Sequence, residues 1–338
     1  MRTIKSQLLL IVVIILIASC NTAKTKNKER ASFLSAKEAV LLNQLVYKPN
    51  LADTLAKYAP DFEVLFLPEA VNGNFAFIAK KKNKEQYALV IRGSMIEFSN
   101  AGFQNFILQD FNIFTIKKWE YADTVKEAYI SNGAYTGFQN LLKLRDKSTG
   151  LDIKDFIEQK TPSGASVVIT GHSLGGNLAY PLAGYLKKQL SAGKRMNLQL
   201  ITFGAPAAGN AAFVQDIEEK FPVAERYVID NDIAPAFPDN DGMGEIAKKV
   251  GLDSVWHIKE LSLNTRDLLN ITGDILEQTG VINKTNKYVQ SQKHLRLLKS
   301  NDTAASGTGL SVNAVFERAY RFHKVDAYAV LLGEKAIN

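Results

Sequence analysis

The chain has 338 residues, of which 46 % are hydrophobic and 22 % are charged, and its formal net charge is +7. This is the composition of an ordinary globular protein, and it excludes the disordered, collagen-like and coiled-coil classes. One cysteine excludes an intrachain disulfide, and with only four histidines a dedicated zinc site is not expected. The basic residues lack the clustering with aromatic residues that is typical of nucleic-acid-binding proteins.

The N-terminus has the pattern of an export signal. Arg2 and Lys5 precede an apolar run over residues 8–18, which is shorter than the roughly 20 residues that span a bilayer. Residues 17–20 resemble the bacterial lipoprotein box, in which the cysteine is lipidated. We therefore predict a signal peptide over residues 1–19 and lipidation of Cys20. The alternative is a plain signal peptide with a chance cysteine near its end.

This interpretation predicts where the protein acts. Residues 20–34 are rich in lysine and read as a soluble tether. A globular domain over residues 35–338 would then be held at a membrane of the bacterial cell envelope by acyl chains on Cys20. The sequence does not indicate which membrane or which face.

Predicted elements begin after the tether. Ser35 and Glu38 form a capping box that predicts a helix running to residue 46. Residues 76–79 and 88–91 are typical of short strands joined by a lysine-rich turn. Helical patterns follow a phenylalanine-rich segment, and they lie near residues 137–144 and 152–159.

The middle of the chain alternates between strand and helix. Strands are predicted over residues 167–170, 198–203 and 226–229, and helices over residues 177–190 and 213–220. Continuous β-branched strands that alternate with helices indicate a parallel sheet covered on both faces. The sequence therefore predicts an α/β fold.

The strand pattern stops after residue 238. Residues 245–300 read as mostly helical, and a last helix is predicted near residues 323–332. We therefore expect a helical insert over about residues 240–310.

The sequence Gly171-His172-Ser173-Leu174-Gly175 satisfies the G-x-S-x-G pattern of a nucleophile elbow. Such a turn connects a strand to a helix, and its glycines avoid collisions that a Cβ atom would cause. Here the pattern follows a predicted strand and precedes a predicted helix. We predict that Ser173 is a nucleophile and that the backbone N–H of Leu174 is one donor of an oxyanion hole.

Several segments in order resemble the class 3, fungal-lipase-like branch of the α/β-hydrolase superfamily. They are residues 90–94, 106–111, 135–138, 168–179 and 202–210. The resemblance covers about residues 70–240 and resumes near residue 323. It implies an α/β-hydrolase fold, with a mostly parallel central sheet flanked by helices and the insert between the catalytic Asp and His.

A nucleophilic serine requires a base, and the base requires an acid that orients it. In this fold the three residues occur along the chain in the order serine, acid, base. His172 lies inside the elbow and is interpreted as a structural neighbour. The other histidines are His257, His294 and His323. Residues 322–328 resemble the terminal segment of the family, in which a tyrosine follows the histidine by five positions, and this favours His323.

The orienting carboxylate has two candidates, Asp230 and Asp232. Both follow the strand predicted over residues 226–229, and strand alternation would place them on the same face, so spacing does not choose between them. The segment that ends in Pro235 and Pro238 resembles the Asp-x-x-Pro turn of the family and favours Asp232.

The resemblance also implies a second oxyanion donor and a lid. The donor would be the backbone N–H of Ser94. The lid would contain Phe98, Phe103, Phe106 and Phe111, although a phenylalanine stripe is also typical of ordinary core.

These features predict a serine hydrolase that cleaves carboxylic esters of lipids and needs no metal or organic cofactor. Its partners would be a lipid or ester substrate and the membrane that holds Cys20, with no nucleic acid; no oligomeric state is indicated. A phospholipase or acyltransferase that acts on membrane lipids is the main alternative. A non-catalytic lipid-binding lipoprotein is a further one.

Overall fold

The computed structural model describes residues 32–94, 115–190, 194–238, 255–258, 261–264, 287–300 and 320–337. Its strands are β1 (Phe62–Phe66), β2 (Ala76–Lys81), β3 (Gln86–Ile91), β4 (Ile116–Lys118), β5 (Tyr129–Ser131), β6 (Ser166–His172), β7 (Asn197–Phe203), β8 (Glu225–Ile229), β9 (Val255–Ile258), β10 (Leu261–Asn264) and β11 (Leu295–Leu298). Its helices are α1 (Ala36–Leu45), α2 (Leu51–Tyr58), α3 (Asn132–Leu142), α4 (Ile153–Lys160), α5 (Leu174–Gln189), α6 (Ala211–Lys220) and α7 (Val325–Leu331).

The main sheet has seven strands in the order β1-β2-β3-β6-β7-β8-β11. The first three are antiparallel neighbours, and every pairing from β3 to β11 is parallel. Parallel strands end at the same edge of a sheet, so the residues that follow β6 and β8 lie near one another. The predicted α/β fold with a mostly parallel sheet is confirmed.

Helices cover both faces of this sheet. One apolar cluster packs α3 to α6 against it and includes Phe138, Leu178 and Phe213. The other packs α1, α2 and α7 against the opposite face and includes Leu42 and Phe203. Burial on both faces explains why β6 has no exposed position along its length.

Polar residues cap most helices of the core. The side chains of Ser35, Ser131, Asp152 and Asn210 each accept a backbone N–H from the first turn of the helix that follows. The predicted capping box of Ser35 and Glu38 is confirmed. Each such cap stabilises its helix by about 1 kcal/mol. Ser173 precedes α5 but makes no capping bond, which leaves its hydroxyl to another partner.

The prediction of a mostly helical segment over residues 245–300 is wrong for the residues described there. β9 pairs with β10 in an antiparallel two-stranded sheet, and β11 extends the main sheet as the parallel neighbour of β8. These strands have only four residues each, too few to show a period in the sequence. Pairing with a neighbouring strand, rather than local preference, stabilises them.

Asp146 stabilises the loop after α3, because both oxygens of its carboxylate accept hydrogen bonds. Burial opposes its ionisation, but hydrogen bonds from Leu67, Ser148 and Thr149 outweigh this effect and lower its pKa to about 2. The stabilisation is therefore present above about pH 4 and is lost as the pH falls through about 2. We expect Asp146→Asn to lower the free energy of unfolding by about 2 kcal/mol at pH 7.

Urea denaturation of both proteins at pH 7 and pH 3 checks this expectation, with exposed Asp61→Asn as the control. The difference between wild type and Asp146→Asn should shrink at pH 3. If the two proteins differ in stability by the same amount at both pH values, the charge of Asp146 is not responsible for the stabilisation.

Candidate active site

The turn between β6 and α5 is the predicted elbow. Ser173 has a φ of 58° and a ψ of −128°, a backbone conformation that costs a non-glycine residue of the order of 1–3 kcal/mol. A Cβ atom on Gly175 would lie 2.2 Å from the carbonyl oxygen of Ile91, and one on Gly171 would meet the backbone of Gly175. Both glycines of the pattern are therefore required by close backbone contact.

The structure brings Ser173, His323 and Asp232 into one hydrogen-bonded row. The Oγ of Ser173 lies 2.8 Å from Nε2 of His323, and Nδ1 of His323 lies 2.9 Å from Oδ2 of Asp232. All three side chains are buried. This is the arrangement in which a carboxylate orients an imidazole and the imidazole accepts the proton of a serine hydroxyl.

Asp232 lies in the turn that follows β8, and its side chain is 0 % exposed. Its carboxylate accepts the O–H of Tyr328 at 2.6 Å and the backbone N–H of Ala234 at 2.9 Å, in addition to the His323 contact. These donors compensate for the burial of a charge that would otherwise be costly.

Asp230 points elsewhere. Its carboxylate accepts the backbone N–H of Ser300 and lies 3.5 Å from Nζ of Lys299. The alternation that left both aspartates open does not apply, because β8 ends at Ile229 and the N–H of Asp232 turns back to the carbonyl of that residue. Geometry therefore favours Asp232 over Asp230 as the partner of His323.

The structure places the remaining histidines in three different settings. His294 is buried before β11, where its carbonyl accepts the N–H of Arg226 at the opposite end of β8 from Asp232, and burial lowers its pKa. The backbone of His257 lies in β9, opposite Ser262. His172 is adjacent to Ser173, and burial, followed by the proximity of His323, holds its pKa well below the usual range.

Tyr328 is a site residue whose role the sequence did not reveal. Its hydroxyl also accepts the backbone N–H of Ile229 at 3.3 Å, and burial beside Asp232 raises its pKa well above the usual range. Gly204, with a φ of 59°, makes room for this contact, since a Cβ atom there would lie 2.9 Å from the hydroxyl. The tyrosine five positions after His323 was the available sequence signal.

The two predicted oxyanion donors lie close to the elbow. Leu174 is the first residue of α5, where backbone N–H groups are free of intrahelical partners. Ser94 follows Gly93, and a Cβ atom on Gly93 would lie 3.4 Å from Cβ of Ser173. This proximity is compatible with the predicted roles, which remain predictions.

Other predicted features lie outside the described residues. Cys20 and the lid residues Phe98, Phe103, Phe106 and Phe111 are among them. In the part of the chain that the structure describes, no group of three His, Cys, Asp or Glu side chains is arranged to hold a metal ion. The described helices include none with the length and apolar character needed to cross a bilayer.

The chain is similar to known proteins in sequence and in structure. Residues 89–242 match the class 3 lipase family. The chloroplastic phospholipase A1-Igamma2 of Arabidopsis thaliana is 32 % identical over 94 residues. That match covers 26 % of this chain and 18 % of the plant protein. The similarity therefore spans only about a fifth of the length of that relative.

One solved structure extends the similarity of fold beyond the matched segment. The crystal structure of M37 lipase aligns with a TM-score of 0.65 and 23 % identity, over 89 % of this chain and 93 % of that one. Lipase II from Rhizopus niveus aligns with a TM-score of 0.44 and 21 % identity, over 60 % and 72 % of the two chains. The family match shows a class 3 lipase region at residues 89–242, and the alignment with M37 lipase shows that this chain has an α/β-hydrolase fold.

Proposed function

We propose that the protein is a serine hydrolase that cleaves carboxylic esters of lipids through an acyl-enzyme on Ser173. The observation that carries this proposal is the row from Ser173 through His323 to Asp232, with contacts of 2.8 and 2.9 Å. The match of residues 89–242 to the class 3 lipases supports it.

In the proposed reaction, Oγ of Ser173 attacks the ester carbonyl carbon while Nε2 of His323 takes the hydroxyl proton. The carbonyl oxygen becomes an oxyanion that the N–H groups of Leu174 and Ser94 stabilise. When the C–O bond breaks, His323 returns the proton to the departing alcohol. Water then attacks the acyl-enzyme with the same base, which releases the acid and restores Ser173.

Hydrolysis of a chromogenic ester series from acetate to palmitate tests this function, with Ser173→Ala as the control. We expect turnover that is lost in the variant, because hydroxyl removal leaves no nucleophile. Covalent labelling by a fluorophosphonate should be lost in parallel. Equal turnover by wild type and Ser173→Ala would contradict the proposal.

The same series with detergent micelles tests the proposed lid, Phe98, Phe103, Phe106 and Phe111. An apolar lid that opens at an interface should raise the turnover of long esters when micelles are present. If micelles leave the rate unchanged and only short esters react, the enzyme is an esterase and these phenylalanines are not a lid.

Phospholipid is the second candidate substrate, and the similarity to a plant phospholipase A1 favours it. Vesicles of phosphatidylcholine and emulsions of triacylglycerol, given separately, distinguish the two candidates by their products. Lysophospholipid with free fatty acid indicates a phospholipase. Diacylglycerol with free fatty acid indicates a lipase, and acyl groups transferred to an added alcohol indicate an acyltransferase.

We also propose that lipidated Cys20 tethers the enzyme to a membrane of the bacterial cell envelope. The cysteine is the only one in the chain and directly follows a signal-like segment. Metabolic labelling with palmitate and membrane fractionation, on wild type and Cys20→Ala, test this proposal. Equal labelling and equal membrane retention of the two proteins would contradict it.

Tyr328→Phe should lower kcat about tenfold, because Asp232 loses a donor that fixes its carboxylate against His323. The free energy of unfolding should fall by only about 1 kcal/mol. Ester kinetics and thermal melting check both, with Tyr180→Phe as a control that loses a buried hydroxyl bonded to Thr202 instead. If kcat is unchanged in Tyr328→Phe, Tyr328 does not position the acid.

A further inference from the structure

The side chain of His172 connects two parts of the molecule that the triad does not join directly. Its Nδ1 lies 3.2 Å from the hydroxyl of Tyr47, which follows α1, and its Nε2 lies 2.6 Å from the main-chain oxygen of His323. The Tyr47 hydroxyl also lies 3.1 Å from the backbone nitrogen of Gly93. His172 is buried against the ring of His323, with 4.9 Å between ring centroids.

The chemistry of these groups sets the direction of every hydrogen bond. The His323 carbonyl only accepts, so Nε2 of His172 carries a proton and donates it. Burial and the neighbouring His323 lower the pKa of His172, so the ring is neutral at pH 7 and its Nδ1 is an acceptor. The Tyr47 hydroxyl therefore donates to Nδ1 and accepts the N–H of Gly93.

This chain of hydrogen bonds connects three parts of the proposed machinery. One end holds the backbone of His323, whose side chain is held independently by Asp232. The other end holds Gly93, which directly precedes the proposed oxyanion residue Ser94. His172 itself directly precedes Ser173. A Cβ atom on Gly93 would lie 2.3 Å from the Tyr47 hydroxyl, so only glycine fits there without displacing the tyrosine.

We propose that Tyr47 and His172 are positioning residues that set the place of the base His323 and of the proposed oxyanion residue Ser94 relative to Ser173. The inference rests on the proposed hydrolase function and deepens it. Neither residue touches the reacting atoms, so their effect is on geometry. Misplacement of a reacting group by about 1 Å is sufficient to cost up to a hundredfold in rate.

Three variants test the two ends of this hydrogen-bond chain, and a fourth variant is the control. Tyr47→Phe removes the hydroxyl and keeps the ring. In His172→Gln the side-chain amide reaches the position of Nε2 and still donates to the His323 carbonyl, whereas in His172→Asn it reaches only the position of Nδ1. Tyr87→Phe is the matched control, because Tyr87 is buried and its hydroxyl bonds Glu85 at the far end of β3.

In ester kinetics, we expect Tyr47→Phe to lower kcat between about tenfold and a hundredfold with KM and the melting temperature nearly unchanged. His172→Gln should retain more of kcat than His172→Asn, and Tyr87→Phe should retain the wild-type kcat. A wild-type kcat in Tyr47→Phe, or equal losses in the Gln and Asn variants, would overturn the proposal. So would a fall in kcat that only follows a fall in melting temperature.

Nitrogen-15 NMR of the histidine ring nitrogens supplies a readout that does not depend on turnover. The chain has four histidines, so the signals are simple to assign. The His172 ring should carry its proton on Nε2 in wild type, and Tyr47→Phe should shift or broaden the ring signals of both His172 and His323. A proton on Nδ1 of His172, or unchanged His323 signals in Tyr47→Phe, would overturn the proposal. If turnover proves independent of Ser173, the hydrolase function fails, and these ring signals alone decide whether Tyr47 and His172 position His323.

Discussion

Replacing His323 by Ala is expected to lower kcat for ester hydrolysis by at least about 10⁴-fold. The hydroxyl of Ser173 is a weak nucleophile until a base removes its proton, and Nε2 of His323 lies 2.8 Å from that oxygen. Some rate over water should remain, because the oxyanion donors are unchanged. Single-turnover labelling by a fluorophosphonate should slow in parallel with kcat.

His257→Ala and His294→Ala are the matched controls for the base. Both residues were open candidates from the sequence, and His294 is buried beside Arg226, at the end of β8 remote from Asp232. We expect both controls to retain kcat within a few fold, although His294→Ala should be less stable. Loss of turnover in His257→Ala with its retention in His323→Ala would show that the base is wrongly identified.

Asp232→Asn is expected to lower kcat by roughly 10⁴-fold while the fold is preserved. Because the backbone N–H of Ala234 requires an acceptor at Oδ1, the amide nitrogen would take the place of Oδ2, where its two hydrogens face the Tyr328 hydroxyl and Nδ1 of His323. The imidazole proton would then move to Nε2, where it faces Ser173 and prevents proton acceptance. The loss thus arises from the wrong tautomer rather than from a missing contact.

Kinetics and thermal melting of Asp232→Asn and Asp230→Asn separate this effect from general destabilisation. Asp230 lies two residues earlier and bonds Ser300, so its variant loses a similar carboxylate without contacting His323. Retention of kcat in Asp230→Asn is expected. If Asp230→Asn proves the less active of the two, the carboxylate of Asp230 and not that of Asp232 orients the base.

The candidate site was partly accessible from the sequence because its three triad residues lie in short segments with recognisable patterns. Ser173 lies in a glycine turn whose geometry requires the residue types found there. Asp232 and His323 are 91 positions apart, and their resemblance to family segments favoured them. Tyr47 was not predicted, because nothing local in the sequence indicates that its hydroxyl reaches His172 across 125 positions.

The sequence by itself determined the alternation of buried strands and helices, the capping of α1 and the position of the elbow. These depend on side-chain period, on short-range hydrogen bonds and on backbone sterics within a few residues. The tertiary structure decided the rest. It separated Asp230 from Asp232 where β8 ends and placed β11 at the edge of the sheet. It also brought Tyr328 into contact with Asp232, and His172 into contact with His323. Such contacts join residues far apart in the chain, and they form only when parallel strands bring their carboxyl ends to one edge.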